Sequence, residues 1–463
     1  MQVASGSGNG TSWEHASSNL KGIMDGAGNN DEIWVAAGTY KPGGNVTDTF
    51  LLKAGVKVYG GFLGTETELS DRNWVTNKTI LDGDSKNRHV VTGGTYATPD
   101  DTRLDGFTIT GGNANGDIFN DNQGGGMFNN ISSPTVANCT FSGNTAKGSG
   151  GGMCNTAYSS PTVTNCTFSG NTANSSGGGM CNYNNSSPTV TDCTFSGNTV
   201  MIIRGNNGGG GMCNQTKSSP KVKNCTFSNN TTNNCGGGMN NSDNSSPTVE
   251  NCAFSGNSAN RYGGGMYNYN NSSPTVTNCT LSDNTATLSG GGMGNYKNSS
   301  PILANTILWG NTAPADWGPD IFQDLGTLNL KNCVVGEYKR VNAGENISNL
   351  ITGDPKLKAL NKAGGNPDTA ADVYIYKLQT GSSAIDAGLP VGDDIGNGVK
   401  VPDKDQRGTG RPKGAGVDIG SYEAEYTITS VEVTPDTASV KKGKTKNFTA
   451  NVTGTGDYNN TVT

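Results

Sequence analysis

The chain has 463 residues, a formal net charge of −6 and only 15% charged residues, while 70 residues are glycine. A weakly acidic chain without an extended Lys/Arg cluster argues against a nucleic-acid partner, and no stretch reaches the ~20 apolar residues that a membrane-spanning helix needs. The low net charge and the abundant Val, Ile and Thr favour an ordered, periodic fold over a disordered chain.

Residues 1–30 predict an N-terminal cap built on one amphipathic helix. Its apolar residues recur at helical spacing, and they are Trp13, Ala16, Leu20 and Ile23. Thr11 and Glu14 form a capping-box pattern at the start, and Gly26 marks the stop. We expect the helix to cover the open end of the strands that follow, because exposed first strands recruit other chains. The chain start lacks the charged and apolar regions of a signal peptide, so we interpret it as a matured secreted chain.

Residues 31–120 predict irregular first coils of a β structure, since short β-branched runs such as "DEIWVAAGTY" and "VKVYGGF" alternate with glycine. The residues here that an enzyme would use are Asp82, Asp84, Arg103 and Asp105. Polysaccharide-active enzymes need clustered carboxylates that bind Ca²⁺ or act as an acid–base pair. Because Asp-Gly pairs are turn formers first, we expect these residues to lie in turns and bends.

A unit of 27 residues repeats through residues 121–345. The proline of each Ser-Ser-Pro marks the period, with spacings of 27, 27, 32, 27, 27 and 27 residues, at Pro134, Pro161, Pro188, Pro220, Pro247, Pro274 and Pro301. A fixed period of this size predicts a solenoid, and β-branched residues between Gly, Asn and Ser-Pro turns indicate three short strands per coil. The predicted fold class is therefore all-β, a right-handed parallel β-helix.

The alternation within one unit predicts which side chains face the core. In "TVTNCTFSGN", Val163, Cys166 and Phe168 point inward, their Thr neighbours point outward, and Asn165 occupies a left-handed bend. The same inward position holds one cysteine per coil, at Cys139, Cys166, Cys193, Cys225, Cys252 and Cys279. We expect this column to fill the core as small apolar groups without disulfides, and no Cys-x-x-Cys pair indicates zinc.

The position that follows each "GGGM" methionine varies freely, which predicts a solvent-facing side chain. Its occupants are Phe128, Cys154, Cys181, Cys213, Asn240, Tyr267 and Gly294. Cys154, Cys181 and Cys213 therefore form a second, outward column on consecutive coils. Parallel Cβ vectors disfavour a bridge between them, and an exposed reactive thiol ladder is the alternative.

Two features suggest binding surfaces. The 32-residue coil carries an apolar insertion at a turn, with Met201, Ile202, Ile203 and Arg204, which either marks a contact surface or folds back over a neighbouring turn. A second register position holds three tyrosines, Tyr183, Tyr269 and Tyr296, which can hold a sugar ring or a partner chain, or simply cover the bend. The two histidines, His15 and His89, have no triad-like partners and are expected to be structural.

A family resemblance rests on an ordered series of segments. The series includes "GTSWEHA", "DEIWVAAGTYKP", "LDGFTITGG", "NCTFSGNTA", "ILWGNTA", "SAIDAG" and "DQRGTGRPKGAGVDIGSYE". It resembles bacterial secreted β-helix proteins of the choice-of-anchor Q type from Gly8 to Glu423, and the coils are similar to polymorphic outer-membrane protein repeats. The resemblance implies a surface or extracellular location and no defined enzymatic activity. Residues 346–426 would hold the last coils and a C-terminal cap with salt-bridged turns, formed by Asp405, Arg407, Arg411 and Asp418.

Residues 427–463 change in character and resemble the first strands of a bacterial Ig-like domain of the group 2 type. The buried tryptophan of that family would follow directly after Thr463. Half a sandwich leaves its strand edges open, so either the protein continues or another chain completes the strands.

Together these patterns predict a non-enzymatic extracellular or cell-surface β-solenoid with a structural or adhesive role. A polysaccharide lyase or hydrolase, or a carbohydrate-binding module, is the alternative. The expected partners are further copies of the chain, other surface proteins or extracellular glycans, and no catalytic residue, metal site or cofactor is predicted.

Overall fold

The molecule is a right-handed parallel β-helix, in which each coil lies directly on the one before it. It is known from a computed structural model that describes residues 7–94, 101–202, 208–362, 374–434 and 449–456. Corresponding residues of successive units pair in parallel, as in Val163 with Val190 and Met153 with Met180. The predicted fold class is thereby confirmed.

Among the described residues, the largest sheet has 22 strands, two from nearly every coil. We call it the first sheet, and its strands are Glu32–Ala36, Gly38–Tyr40, Lys57–Phe62, Thr79–Asp82, Arg103–Asp105, Phe107–Thr110, Thr135–Ala137, Thr140–Ser142, Thr162–Thr164, Thr167–Ser169, Thr189–Thr191, Thr194–Ser196, Lys221–Lys223, Thr226–Ser228, Thr248–Glu250, Ala253–Ser255, Thr275–Thr277, Thr280–Ser282, Ile302–Ala304, Ile307–Trp309, Thr327–Val335 and Gly344–Ile351.

Two smaller sheets in the described part complete the coils. The second sheet carries the methionine column, and its strands are Phe50–Leu52, Val91–Gly93, Met127–Asn130, Met153–Thr156, Met180–Tyr183, Met212–Gln215, Met239–Ser242, Met266–Tyr269, Met293–Tyr296, Ile321–Asp324 and Tyr338–Val341. The third sheet has two-residue strands at Asn113–Ala114, Thr145–Ala146, Thr172–Ala173, Thr199–Val200, Thr231–Thr232, Ser258–Ala259 and Thr285–Ala286. Short antiparallel pairs form between Asn361–Lys362 and Tyr374–Ile375, and between Asp394–Gly396 and Val399–Lys400. Single 3-10 turns lie at Leu69–Asp71, Phe119–Asp121 and Ala315–Trp317.

The core consists of columns of like residues, as the alternation predicts. The phenylalanine column stacks with ring centroids 4.6–4.8 Å apart and planes within 2–4° of parallel, at Phe141, Phe168, Phe195, Phe227 and Phe254. This separation matches the spacing of neighbouring strands, so each ring packs flat against the next. Val163, Cys166 and Phe168 are fully buried, and Thr162 is exposed.

The cysteine column is buried, as predicted, and its thiols are free. Each thiol donates to a carbonyl two residues earlier, for example from Cys139 to Ala137 at 3.1 Å and from Cys166 to Thr164 at 3.2 Å. The column continues where the repeat spacing places Thr306, since the Cys279 N–H donates to the Thr306 hydroxyl at 3.4 Å. Burial raises the pKa of Cys225 well above its ordinary value, so its thiol stays protonated.

Asparagine columns supply hydrogen bonds that the sequence analysis recognised only at the bend. Asn165 has the predicted left-handed conformation, with φ of 52°. A further column inside the second sheet is fully buried, and each side-chain amide donates to the next at 2.7–2.8 Å, through Asn129, Asn155, Asn182, Asn214, Asn241, Asn268 and Asn295. Because a buried amide without partners is costly, these hydrogen bonds hold neighbouring coils in register in addition to the apolar packing.

The Gly-Gly-Gly before each methionine is required by close backbone contacts. Gly177 has φ of 63°, which strains residues with a Cβ atom. A Cβ at Gly178 would lie 2.6 Å from the carbonyl oxygen of Gly210, and one at Gly179 would lie 2.6 Å from that of Gly211. The glycines therefore allow consecutive coils to approach at strand spacing.

The N-terminal helix is shorter than predicted and spans Leu20–Gly26. It ends at the expected glycine, but the predicted start at Thr11 is wrong, because the side chain of Asn19 caps the helix by accepting from the Gly22 N–H at 2.9 Å. Trp13 precedes the helix, and its ring lies 5.5 Å from that of Phe62 on the first coils. The helix buries Leu20 and Met24 against those coils, as a cap requires.

The segment that follows the last coils folds back along the side of the solenoid. The Gln406 side chain donates to the Cys225 carbonyl at 3.2 Å, and the Ser421 N–H donates to the Thr280 hydroxyl at 3.2 Å. This folded-back segment, residues 374–424, covers the outer face of the first sheet, so that Thr275 is buried although its counterpart Thr162 is exposed. The expected C-terminal cap is therefore a side wall, because its apolar and polar partners lie on the flank of earlier coils.

The salt-bridged turns predicted for this segment form in part, because Asp418 offers Arg411 its backbone carbonyl and not its carboxylate. Arg407 pairs with Asp405 at 2.7 Å, and Arg411 donates to the Asp418 carbonyl at 2.8 Å. The fully buried carboxylate of Glu423 pairs with Arg411 at 2.9 Å and was not foreseen. A buried ion pair of this kind holds the turns together, because removing either partner leaves an uncompensated charge.

The predicted Ig-like region contributes two described strands, Tyr426–Thr434 and Thr449–Gly456, which pair antiparallel. Residues 435–448 and 457–463 lie outside the described residues. Two strands do not distinguish an Ig-like sandwich from another hairpin, so this assignment stays a prediction.

Truncation of one stacked ring tests the column packing. We expect Phe195→Ala to lower the free energy of unfolding by about 3–5 kcal/mol, since it opens a cavity between two flat neighbours. Thr189→Ala on the exposed face of the same coil is the matched control and should change it by less than about 0.5 kcal/mol. Urea denaturation followed by circular dichroism measures both, and equal effects would contradict a stacked core.

Candidate functional site

The position after each methionine is buried, so the solvent-facing prediction for it is wrong. Cys154, Cys181 and Cys213 are at most 1% exposed and form a small second core with Phe128. A column of turn residues outside the second sheet covers this small core. The Ser176 hydroxyl, for example, lies 3.8 Å from the Cys181 sulfur. The free variation therefore reflects a loosely specified minor core and not contact with water. All three thiols are closed off from solvent, which argues against a reactive thiol ladder.

Further along the solenoid this minor core becomes aromatic. Tyr267 lies at its centre and is 1% exposed, with ring centroids 6.0 Å from Tyr262, 6.0 Å from Tyr269 and 5.6 Å from Tyr296. The rings continue from Tyr296 to Phe322 at 5.1 Å and from there to Trp317 at 5.5 Å. We call these six residues the aromatic strip, and it runs across consecutive coils on one flank.

The aromatic strip is partly open to solvent and carries basic neighbours. Trp317 is 49% exposed, while Tyr269 and Tyr296 are half-buried. The Lys297 ammonium lies 4.9 Å above the Tyr269 ring, and the Arg261 guanidinium lies 5.1 Å above Tyr262. Cations over ring faces are held by the ring quadrupole and form a mixed aromatic and cationic surface.

Burial raises the pKa of the Tyr267 and Tyr296 phenols well above the ordinary value for tyrosine. Both phenols therefore remain neutral, and the Tyr296 hydroxyl is hydrogen-bonded to the Ser289 hydroxyl. The strip thus offers neutral hydroxyls and ring faces with positive charge only at its edge.

The structure brings together two of the three predicted tyrosines. Tyr269 pairs in register with Tyr296 on the next strand, and both contact Tyr267. Tyr183 lies apart, because Gln215 follows it in the column and its ring is 6.1 Å from Phe119. The sequence analysis missed the rest of the strip, since its members occupy other register positions and converge only when the turn column folds over the sheet.

The apolar insertion is only partly described. Met201 is 53% exposed, and Ile202 is half-buried. Ile203 and Arg204 lie outside the described residues. The insertion therefore stays a predicted contact surface, with Met201 its exposed described side chain.

The N-terminal carboxylates separate into two groups: Asp82 and Asp105 end strands of the first sheet, contrary to the expected turn positions, whereas Asp84 lies in a turn. Asp105 is buried and pairs with Arg72 and Arg103 at 2.7 Å each. Asp84 pairs instead with Lys41 at 2.9 Å. Within the described ranges, no group of three or more His, Cys, Asp or Glu residues is arranged to hold a metal ion.

His89 is packed within the fold, as its structural interpretation implies. Its ring stacks on Phe128 at 5.1 Å and its Nδ1 lies 3.0 Å from the Gly124 carbonyl oxygen. Burial lowers the pKa of His89, so the ring is neutral near pH 7. His15 lies before the helix, and its Nδ1 accepts from the Ser7 N–H at 2.9 Å.

These features define the chain as a right-handed parallel β-helix protein. Residues 173–335 match the family model described as a right handed beta helix region, whereas no curated protein matches the chain. Among solved structures it is similar to the crystal structure of pectate lyase Pel9A, with 14% sequence identity and a TM-score of 0.52 over 90% of this chain and 94% of that chain. At this identity the similarity extends to the fold alone. No helix in the described part is long and apolar enough to cross a membrane.

Thiol labelling tests the burial of both cysteine columns. All eleven cysteines are free and buried, so we expect a maleimide to leave the native protein unmodified and to label the chain only in denaturant. Intact mass measures the number of labels. An exposed-site variant, Thr189→Cys, should gain one label under native conditions. Native labelling at Cys154, Cys181 or Cys213 would contradict the covered minor core.

Proposed function

We propose that this protein is a non-enzymatic extracellular or bacterial cell-surface β-helix with a structural or adhesive role, and that it contacts extracellular glycans through the aromatic strip. The observation that carries the proposal is the convergence of Tyr269, Tyr296 and Trp317 on one flank of a rigid stack of coils. Tyr269 and Tyr296 lie on regular strands, so the geometry of their rings is fixed before binding, which lowers the entropic cost of association.

The chemistry of the strip favours a saccharide. Sugar rings present apolar C–H faces that pack on aromatic rings, and hydroxyl groups that pair with polar side chains. The half-buried tyrosines supply the rings, Tyr296 has a neutral phenol, and Lys297 adds a cation at the edge. The strip covers three successive coils, from Tyr269 through Tyr296 to Trp317, and so follows the long axis of the rod, as an extended polymer ligand would require.

A polysaccharide lyase or hydrolase is the alternative that the sequence leaves open. The N-terminal carboxylates give it less support than the strip gives to binding, because Arg103 is paired with the buried Asp105. An arginine held in an ion pair keeps its proton and is a poor candidate for a catalytic base.

Substitution in the strip tests glycan contact. We expect Tyr269→Ala to weaken binding to an array of extracellular polysaccharides at least about tenfold, because it removes a solvent-accessible ring face of the strip. Tyr296→Ala should have a similar effect, and melting temperatures check that both variants fold. Tyr158→Ala is the matched control, since Tyr158 is 70% exposed and lies outside the strip. An array pattern unchanged by Tyr269→Ala would contradict the proposal.

Association with further copies of the chain is the second part of the structural role. The last strands of the solenoid, Tyr338–Val341 and Gly344–Ile351, pair on one side only among the described residues. Unpaired strand edges are sites where a second chain can add. We expect light scattering to show a mass that grows with concentration, and a monomer over a wide concentration range would contradict self-association.

A further inference from the structure

Two residues break the repeat at neighbouring positions. The third strand residue is serine in six successive coils, at Ser142, Ser169, Ser196, Ser228, Ser255 and Ser282, and is Trp309 in the next. In the same seven coils the residue after it is glycine in five and asparagine in one, at Gly143, Gly170, Gly197, Asn229, Gly256 and Gly310, but it is Asp283 in the sixth coil. A copied unit conserves what the coil needs, so these departures call for a local explanation.

Asp283 occupies a position that suits glycine better. Its φ is 60°, in the left-handed region where a side chain costs free energy. Asn229 has the same conformation in an earlier coil, with φ of 54°, so what distinguishes Asp283 is its negative charge. Asp283 is exposed, and its Oδ2 accepts from the buried Tyr376 hydroxyl at 2.8 Å. Among the described residues no protein donor contacts its second oxygen.

Both departures line one open cleft of about 690 Å³. Its first wall is the edge of the solenoid, with Asp283 and Trp309 on successive coils. Its second wall consists of Lys356, which follows the last coil, and of Gln379 and Thr380 from the folded-back segment. The bridge between Leu357 and Leu378 and the Gln379 N–H bond to the Lys356 carbonyl at 3.1 Å brace this wall.

The groups in the cleft are those that recognise a neutral sugar. Trp309 is half-buried and offers part of its ring, Asp283 offers a carboxylate oxygen to hydroxyl donors, and the exposed Lys356 offers an ammonium. The volume falls in the range of roughly 300–1,000 Å³ that is typical of small-ligand sites. The lining carries two carboxylates, of Asp283 and Asp354, and two ammoniums, of Lys356 and Lys358, and this balance favours a ligand without net charge.

We propose that the cleft lined by Asp283 and Trp309 of the solenoid and by Lys356, which follows the last coil, is a binding site for a neutral oligosaccharide. The sugar ring packs on Trp309, and its hydroxyls donate to Asp283 and accept from Lys356. The site is separate from the aromatic strip and shares with the proposed function only the class of ligand. It explains why the two repeat positions change in adjacent coils.

Restoration of the repeat residues gives variants that should fold. Asp283→Gly and Trp309→Ser place in each coil the residue that other coils use at that position. We expect each to weaken binding of cellohexaose or chitohexaose at least about tenfold, measured by isothermal titration calorimetry. Lys356→Gln should weaken binding less, because a neutral donor remains. Hexagalacturonate, an anionic probe of similar length, should bind more weakly than the neutral probes.

A control variant distinguishes two roles of Asp283, which are binding of the sugar and anchoring of the folded-back segment. Tyr376→Phe removes the hydroxyl that donates to Asp283 but leaves its carboxylate in place, so it should lower the melting temperature and keep the affinity within about twofold. If affinity falls in parallel with stability in Tyr376→Phe and Asp283→Gly, Asp283 only anchors the segment and the proposal is wrong. It is also wrong if neither neutral probe binds the wild type at millimolar concentration, or if Asp283→Gly binds them unchanged. Tyr269→Ala should leave this binding intact, so failure here and failure of the strip give different results.

Discussion

The structure depends on like side chains lying in register from one coil to the next. Parallel strands place each residue above its counterpart at strand spacing, and that distance is also the stacking distance of aromatic rings and the reach of an amide-to-amide hydrogen bond. Phenylalanine, cysteine and asparagine therefore each form a continuous column. A chain with so few hydrophobic residues can fold because the main core columns of the regular coils pair each buried group with a like neighbour.

Much of this arrangement follows from the sequence. The 27-residue period and the alternation in "TVTNCTFSGN" predict the coil, the inward Val163, Cys166 and Phe168, and the bend at Asn165, because strand periodicity and left-handed Asn are local properties. The exposure of Cys181 was predicted wrongly, since the turn that covers it comes from a different part of the coil. The start of the helix was also wrong, because Asn19 offers a better cap than Thr11 once Trp13 packs on the first coils.

The candidate sites depend even more on tertiary structure. Tyr269 and Tyr296 are recognisable as a register pair, but Tyr262, Trp317 and Phe322 join them only through the folding of turns onto the second sheet. The cleft beside Asp283 exists because residues far along the chain return to the flank of earlier coils. The sequence signal that would have located it is the departure from the repeat at Asp283 and Trp309, which becomes meaningful when the two walls are seen to face each other.

The folded-back segment also makes some coils less tolerant than others of the loss or gain of a repeat unit. It is fastened to the solenoid at points from Cys225 to Asn332, so the number of turns between these points is fixed by its own length. Gain of a whole unit among the earlier, uncovered coils would lengthen the rod, and loss of one would shorten it, without disturbing either end. Loss or gain of a unit among the covered coils would shift the solenoid residues away from their hydrogen-bond partners in the folded-back segment. Evolution by unit duplication is therefore free in the first half of the rod and constrained in the second.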